Sequence, residues 1–175
     1  LSGGNKDVKY FLSGSYDKQV GLIKQNPDVY QKYNLRSKID FNINKWFKMS
    51  NNTSYFTSSY SFPGVGSVEN AFAYAARHAL ASFPQKNPDG SWLYSTPLIS
   101  GSYNVANGRH IVYGNGNNYN MDKYNDFANT TELKFTPIKQ FNITANFTYR
   151  NYSTSYTNRQ TKFDYRIYPD GPIEY

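Results

Sequence analysis

The stretch YNLRSKIDFNIN (33–44) decides the fold class that this chain is predicted to have. Apolar and polar side chains alternate along most of its length, and a period of two puts successive side chains on opposite faces of an extended strand. The predicted apolar face consists of Tyr33, Leu35, Ile39, Phe41 and Ile43. The predicted polar face consists of Asn34, Arg36, Lys38, Asp40, Asn42 and Asn44.

Four further segments show the same alternation, although more weakly in places, and they cover residues 8–16, 47–55, 127–136 and 140–150. The connections between the five segments differ in length. Those around 44–46 and 136–139 are short, whereas those at 17–31 and 61–123 are long. Transmembrane β-barrels show this asymmetry, with tight periplasmic turns and long extracellular loops. On this basis, strands one, three and five run outward and strands two and four run inward.

The strand lengths suit a membrane. The sequence has no apolar run long enough for a transmembrane helix, but a transmembrane strand needs only about 9–11 residues. From Leu35 to Ile43 the chain makes eight steps, which span about 27 Å and, when tilted by about 40°, cover about 20 Å of membrane. Tyr33, Trp46 and Phe47 then fall where interfacial aromatic side chains belong. These features predict an all-β fold, an antiparallel transmembrane β-barrel segment with about five strands in this chain.

The long connection at 61–122 is predicted to be an extracellular loop that carries a short helix at about 68–82. Ser67 is a suitable N-cap, Glu69 complements the helix dipole, and Pro84 lies just past the end. The helical spacing is that of Val68, Ala71, Phe72, Ala75, Ala79 and Leu80. Asn87-Pro88-Asp89-Gly90 is predicted to form a turn.

Several phrases resemble a known family. They are LSGGN (1–5), YFLSGSY (10–16), YNLRSKIDFNIN (33–44), NKWFKMSNNTSY (44–55) and NPDGSW (87–92), and they occur in the order seen in the barrel region of SusC/RagA-like TonB-dependent outer-membrane transporters. The resemblance implies localisation in the outer membrane and a plugged barrel of about 22 strands. It also implies a SusD-like surface lipoprotein and TonB as partners, with oligosaccharides or peptides as cargo.

Five strands do not close a barrel of that size. We therefore expect residues 1–175 to form a partial barrel domain that belongs to a longer or processed protein. The plug domain, the segment that contacts TonB and the remaining strands would lie outside this sequence.

Two groups of side chains are candidate functional residues. Lumen-facing candidates are Arg36, Lys38, Asp40 and Arg150, which either contact cargo or plug or merely hydrate the wall and pair with one another. Candidate cargo contacts in the long loop are Trp92, Tyr94 and Tyr103, whose rings either stack on sugars or pack the loop onto itself.

The composition disfavours other classes of protein. The net charge of +7 comes from scattered basic residues without a nucleic-acid-binding motif, so no nucleic-acid partner is predicted. No catalytic, cofactor-binding or metal-ligating set is recognisable. Asn120, Asp122 and Asp126 resemble a calcium loop only superficially, because the glycine and terminal glutamate of an EF-hand are missing. The chain is therefore predicted not to be an enzyme and to need no cofactor.

One alternative stays open from sequence. An apolar strand face looks the same whether it contacts lipid or a second sheet, so a soluble secreted β-sandwich, such as a glycan-binding or adhesin domain, fits the same periodicity. A carbohydrate-active enzyme is a third and weaker hypothesis. In the sandwich, the row that contains Leu35 and Ile39 would be buried under another sheet.

Overall fold

The computed structural model describes residues 1–24, 26–64, 67–78, 84–94, 109–114, 116–167 and 170–175. Its strands are β1 (Ser2–Gly4), β2 (Val8–Val20), β3 (Val29–Asn42), β4 (Phe47–Pro63), β5 (Tyr119–Ile138) and β6 (Phe141–Arg159). Its helices are α1 (Val68–His78) and α2 (Arg109–Gly114).

The strands form one six-stranded antiparallel sheet in the order β1-β2-β3-β4-β5-β6, so each strand pairs with its neighbours in sequence. At the first edge, Ser2 lies opposite Phe11 and Gly4 lies opposite Lys9. The described sheet is open, with β1 and β6 at its edges. The all-β class is thus confirmed, while closure into a barrel stays a prediction.

The five predicted strands correspond to β2 through β6, and the structure adds β1 and lengthens the others. The three residues Ser2–Gly4 are too few to show alternation, which explains why this strand was missed. Because β2 and β4 end later and β3 and β5 begin earlier than predicted, the long connections shrink to residues 21–28 and 64–118. Short turns and long connections still alternate along the chain.

The predicted loop helix is present as α1, which begins at Val68 as expected. The Ser67 hydroxyl accepts a hydrogen bond from the Asn70 backbone amide at 3.3 Å and so caps the first turn. The described helix ends at His78, and the remainder of the predicted range, 79–82, lies outside the described residues. The short helix α2 was not predicted.

The chain divides into two compact units. The sheet unit comprises Leu1–Gln19, Tyr30–Ser59 and Asp122–Ser155, and the loop unit comprises Val20–Val29, Tyr60–Met121 and Tyr156–Tyr175. The loop unit has a small core that contains the buried side chains of Leu93, Ile111 and Tyr113.

Contacts between strands of the sheet unit show that its two faces differ. On the apolar face, the rings of Tyr16 and Tyr33 lie 4.7 Å apart, and Trp46 meets Phe135 edge-on at 5.2 Å. Leu35, in the middle of β3, is nevertheless 54% exposed. Within the described ranges the strands form a single sheet, and no second sheet lies over this apolar face.

The predicted turn at 87–90 is confirmed in the loop unit. The Gly90 amide donates to the Asn87 carbonyl at 2.9 Å, which closes the four-residue turn. Gly90 has a φ of 86°, a conformation that glycine adopts without the steric penalty of a side chain. The turn leads into Trp92 and Leu93, which form isolated bridges with Lys86 and Arg166 respectively.

Candidate functional site

The predicted lumen-facing charges on β3 lie on the polar face of the sheet unit and are already partnered. Arg36 Nε donates to the side-chain oxygen of Asn52 at 3.3 Å. Lys38 Nζ lies 3.8 Å from an Asp40 carboxylate oxygen, and Asp40 also accepts a hydrogen bond from Ser50. These contacts agree with the interpretation in which the charges pair along the wall. Contact of these residues with cargo or plug stays a prediction.

Arg150, the fourth predicted charge, forms a bidentate ion pair on this face. Its Nε and Nη2 atoms donate to the two carboxylate oxygens of Asp126 at 2.9 and 2.6 Å. The two parallel hydrogen bonds fix the geometry of both side chains. Asp126 was not predicted to belong to this set. The short β5–β6 turn was the available signal, because once it sets the register, Asp126 and Arg150 fall near each other on the same face.

Aromatic rings adjoin this ion pair on the otherwise polar face. Phe56 contacts Tyr124 edge-on at 5.5 Å, and Tyr124 lies 6.4 Å from Tyr152. The Tyr124 hydroxyl donates to Asp126 at 3.5 Å, and the Tyr152 side chain is 67% exposed. Aromatic faces beside a fixed carboxylate and guanidinium suit ligands that have both apolar surface and hydrogen-bonding groups. Sequence periodicity missed this patch because it expects polar residues on this face.

The apolar face also carries polar side chains that hydrogen-bond to one another across β4 and β5. Asn51 donates to Thr131 at 2.9 Å, and Asn129 donates to Thr53 at 2.7 Å. The two asparagines also exchange hydrogen bonds at 3.3 and 3.2 Å. These four side chains form a half-buried network across β4 and β5 in which the amides satisfy one another. Self-satisfaction lowers the penalty of placing polar groups on an apolar surface.

The loop unit contains a pocket of about 340 Å³. Its wall combines side chains from the 21–28 connection, from α1 and α2, and from the bridged segment that contains Trp92. The lining residues are Leu22, Ile23, Lys24, Ala71, Phe72, Gln85, Trp92, His110, Tyr113 and Gly114. Most of them are apolar or aromatic, as is usual for small-molecule sites.

Trp92, one of the predicted cargo contacts, lines this pocket and is held in place by three neighbours. Lys86 Nζ lies 4.4 Å from the ring centroid, and the His110 ring meets Trp92 edge-on at 5.8 Å. Gly114 makes the close approach possible, since a Cβ at that position would lie 2.7 Å from Trp92 Cη2. The pocket wall is therefore tightly packed at Trp92.

The other two predicted cargo contacts have different outcomes. Tyr94 packs its ring against Tyr165 at a centroid distance of 4.8 Å, within the loop unit. Burial raises the pKa of Tyr165, and its hydrogen bond to Glu174 acts in the same direction. Tyr103 lies outside the described residues. Of the three predicted residues, Trp92 is thus the one that lines the described pocket.

His110 contributes a neutral side chain to the pocket. Burial lowers the pKa of its imidazole, and this effect outweighs the carbonyls of Leu93 and Gln85, which act in the opposite direction. The His110 Nε2 atom lies 2.9 Å from the Leu93 carbonyl oxygen, so in the neutral ring Nε2 carries the proton and donates it. The Nδ1 atom is buried without a partner in hydrogen-bonding geometry.

Metal ligands are not clustered in the part of the chain that the structure describes, where no group of three or more His, Asp or Glu side chains could hold an ion. Two of the three residues considered for calcium have other partners. Asn120 accepts hydrogen bonds from Tyr156 at 2.8 Å and from Asn158, and Asp126 is paired with Arg150. Among the described helices, none is long and apolar enough to cross a membrane.

Comparison with known proteins gives no family assignment. No model of a known protein family matches the chain, and no curated protein matches it significantly.

Proposed function

We propose that this chain is a segment of an outer-membrane β-barrel that belongs to a TonB-dependent receptor for oligosaccharides or peptides. One observation carries the proposal: a single antiparallel meander has an apolar face that no described layer covers and an opposite face lined with paired charges and amides. The sequence phrases that resemble SusC-like transporters suggest the particular class of receptor.

The exposed apolar side chains support a membrane environment. Exposed in the sheet unit are Leu12, Leu35, Ile43, Leu133, Phe141, Ile143 and Phe147. Apolar surface gains about 25 cal/mol per Å² when it leaves water, and soluble monomers rarely expose patches beyond a few hundred Å². Lipid would cover this face without a second sheet. The single described sheet therefore favours the barrel segment over the soluble sandwich.

The polar face supports an aqueous lumen. Charged side chains at the bilayer are expensive unless they face water or pair with one another. The Asp126–Arg150 pair and the Lys38–Asp40 pair meet the second condition, and both lie on the face opposite the exposed leucines and phenylalanines. A water-filled passage along this face would also hydrate the remaining amides and hydroxyls.

The lengths of the connections support an assignment of the two ends of the sheet to the two sides of the membrane. In a meander, alternate connections return to the same end of the sheet, so the short turns at 5–7, 43–46 and 139–140 belong to one end. In the proposed receptor this is the periplasmic end, and the connections at 21–28 and 64–118 are extracellular. Cargo and a SusD-like lipoprotein would then meet the loop unit, while TonB would act through a segment outside this chain.

Spin labels on adjacent residues of β3 test the orientation. In the intact protein reconstituted into lipid vesicles, a label at Ile39 should be relaxed by oxygen dissolved in lipid, and a label at Lys38 by a water-soluble nickel complex. A label at Ile39 that neither reagent reaches would instead mean that protein covers the apolar face, and it would refute the proposal. Oligosaccharide hydrolysis that is lost on substitution of a single acidic residue would likewise contradict a pure transport role.

A further inference from the structure

The pocket of the loop unit combines apolar walls with unpaired positive charge. At its mouth, Leu22 is 84% exposed and Phe72 is 50% exposed, so apolar surface continues from the wall to the rim. Inside, Trp92 and Tyr113 supply aromatic surface. The volume of about 340 Å³ falls in the lower part of the range for small-molecule sites.

The described side chains that line the pocket carry positive charge and no negative charge. Lys24 lines the wall and has no ion pair among the described residues, and Lys86 Nζ lies 4.4 Å from the centroid of the Trp92 ring. None of the described residues that line the pocket is acidic. An anionic group bound near Lys24 would therefore meet attraction without a competing carboxylate on the wall.

We propose that this pocket binds a compact apolar carboxylate, with its aromatic or aliphatic part against Trp92 and Phe72 and its carboxylate at Lys24. The cavity of about 340 Å³ equals the liquid volume of about eleven water molecules at about 30 Å³ each. That is enough room for 3-phenylpropionate. A sugar of the same size fits less well, because the wall has few groups to replace the water that its hydroxyls lose.

The biological meaning of this site rests on the proposed receptor function. There, the ligand corresponds to the carboxyl-terminal apolar residue of a peptide, which favours peptides over oligosaccharides as cargo. Binding of the ligand is measurable without transport. An experiment can therefore refute the proposed binding site and leave the proposed receptor function standing, or the reverse. Loss of binding with the Ile39 label still in lipid would overturn this inference alone.

Fluorine NMR tests the binding directly. The intact protein is labelled with 5-fluorotryptophan and held in lipid nanodiscs, and the Trp92 resonance is assigned by its disappearance in W92F. Titration with 3-phenylpropionate should shift this resonance saturably. The neutral analogue 3-phenylpropan-1-ol should bind more weakly, and maltose should leave the resonance unchanged.

Two variants and a control separate the contribution of the Lys24 charge to binding from that of the cavity shape. K24Q should weaken 3-phenylpropionate binding about threefold to fivefold, the effect of losing one solvent-accessible charge contact, and should leave the affinity for the alcohol unchanged. A71F should fill the cavity and abolish both. K139Q, in the β5–β6 turn, removes the same charge far from the pocket in sequence and should change neither. No saturable shift, equal effects of K24Q and K139Q, or a response to maltose alone would each overturn the proposal.

Discussion

Replacing Phe147 with arginine should destabilise the protein in a membrane far more than the same replacement at the preceding residue, Asn146. The two residues are neighbours on β6, and both are exposed in the described sheet. Their side chains point to opposite faces because successive residues of a strand alternate. If both faces met water, the two substitutions would be nearly equivalent. If the apolar face meets lipid, only F147R brings a charge into hydrocarbon.

The expected loss of stability depends on how deep Phe147 lies in the membrane. Phe141 begins β6 just after the short turn, and Phe147 lies six residues further along. At about 3.3 Å per residue and a tilt of about 40°, this places Phe147 about 15 Å into an apolar band about 25 Å tall, close to its middle. Arginine on the lipid face at the midplane costs about 2–4 kcal/mol. Since Phe147 is 70% exposed, little internal packing is lost with it.

Urea unfolding of the intact protein in lipid vesicles measures the difference. F147R should lower the free energy of unfolding by about 2–4 kcal/mol relative to wild type, while N146R should stay within about 0.5 kcal/mol, the usual range for solvent-facing substitutions. Equal losses for the two variants would refute the assignment of the apolar face to lipid. A larger loss for N146R would reverse the assignment.

Three further predictions concern single interactions. N51V or N129V alone should each destabilise the protein by about 1–3 kcal/mol in the same urea assay, whereas the double variant should recover most of the loss, because it leaves no amide unpartnered. G114A should displace the ring of Trp92, which a new Cβ would approach to 2.7 Å, and should shift the Trp92 fluorine resonance while destabilising the loop unit by about 1–3 kcal/mol. Acidification should loosen the loop unit because burial lowers the pKa of His110. The stability from the neutral ring is present above its unfolded pKa of 6.5 and is lost as the pH falls through the lower folded value, so amide exchange in α2, corrected for intrinsic rates, should rise between pH 7.5 and pH 5.5.

Each of these predictions has a contrasting outcome. Additive losses in the asparagine double variant would mean that the two amides do not depend on each other. An unchanged Trp92 resonance in the glycine variant would contradict the tight approach seen in the structure. In H110F the pH dependence of α2 exchange should disappear, and its persistence would assign the effect to another group.

Local sequence signals predicted the elements that local interactions stabilise. The alternation along most of residues 33–44 identified β3, Ser67 marked the start of α1, and Asn87-Pro88-Asp89-Gly90 marked a turn that closes with its own hydrogen bond. In each case the deciding residues lie within a few positions of one another. Such signals are readable without knowledge of the partner strands.

The structure added features whose cause lies elsewhere in the chain. The helix α2 has six residues and no acidic residue in its first turn, and it buries Ile111 and Tyr113 in the small core of the loop unit. The bidentate partner of Arg150 is 24 residues away, and the amide of Asn51 meets Thr131 at a separation of 80. None of these separations is visible in a periodic pattern.

By itself the sequence determined that strands with unlike faces alternate between short turns and long connections, because a period of two and the turn residues are properties of neighbouring positions. Only the tertiary structure decided which side chains meet across those strands and where a pocket forms in the loop unit. Strand register and loop packing depend on contacts between residues far apart in the chain, and a single sequence does not encode those contacts in its local pattern.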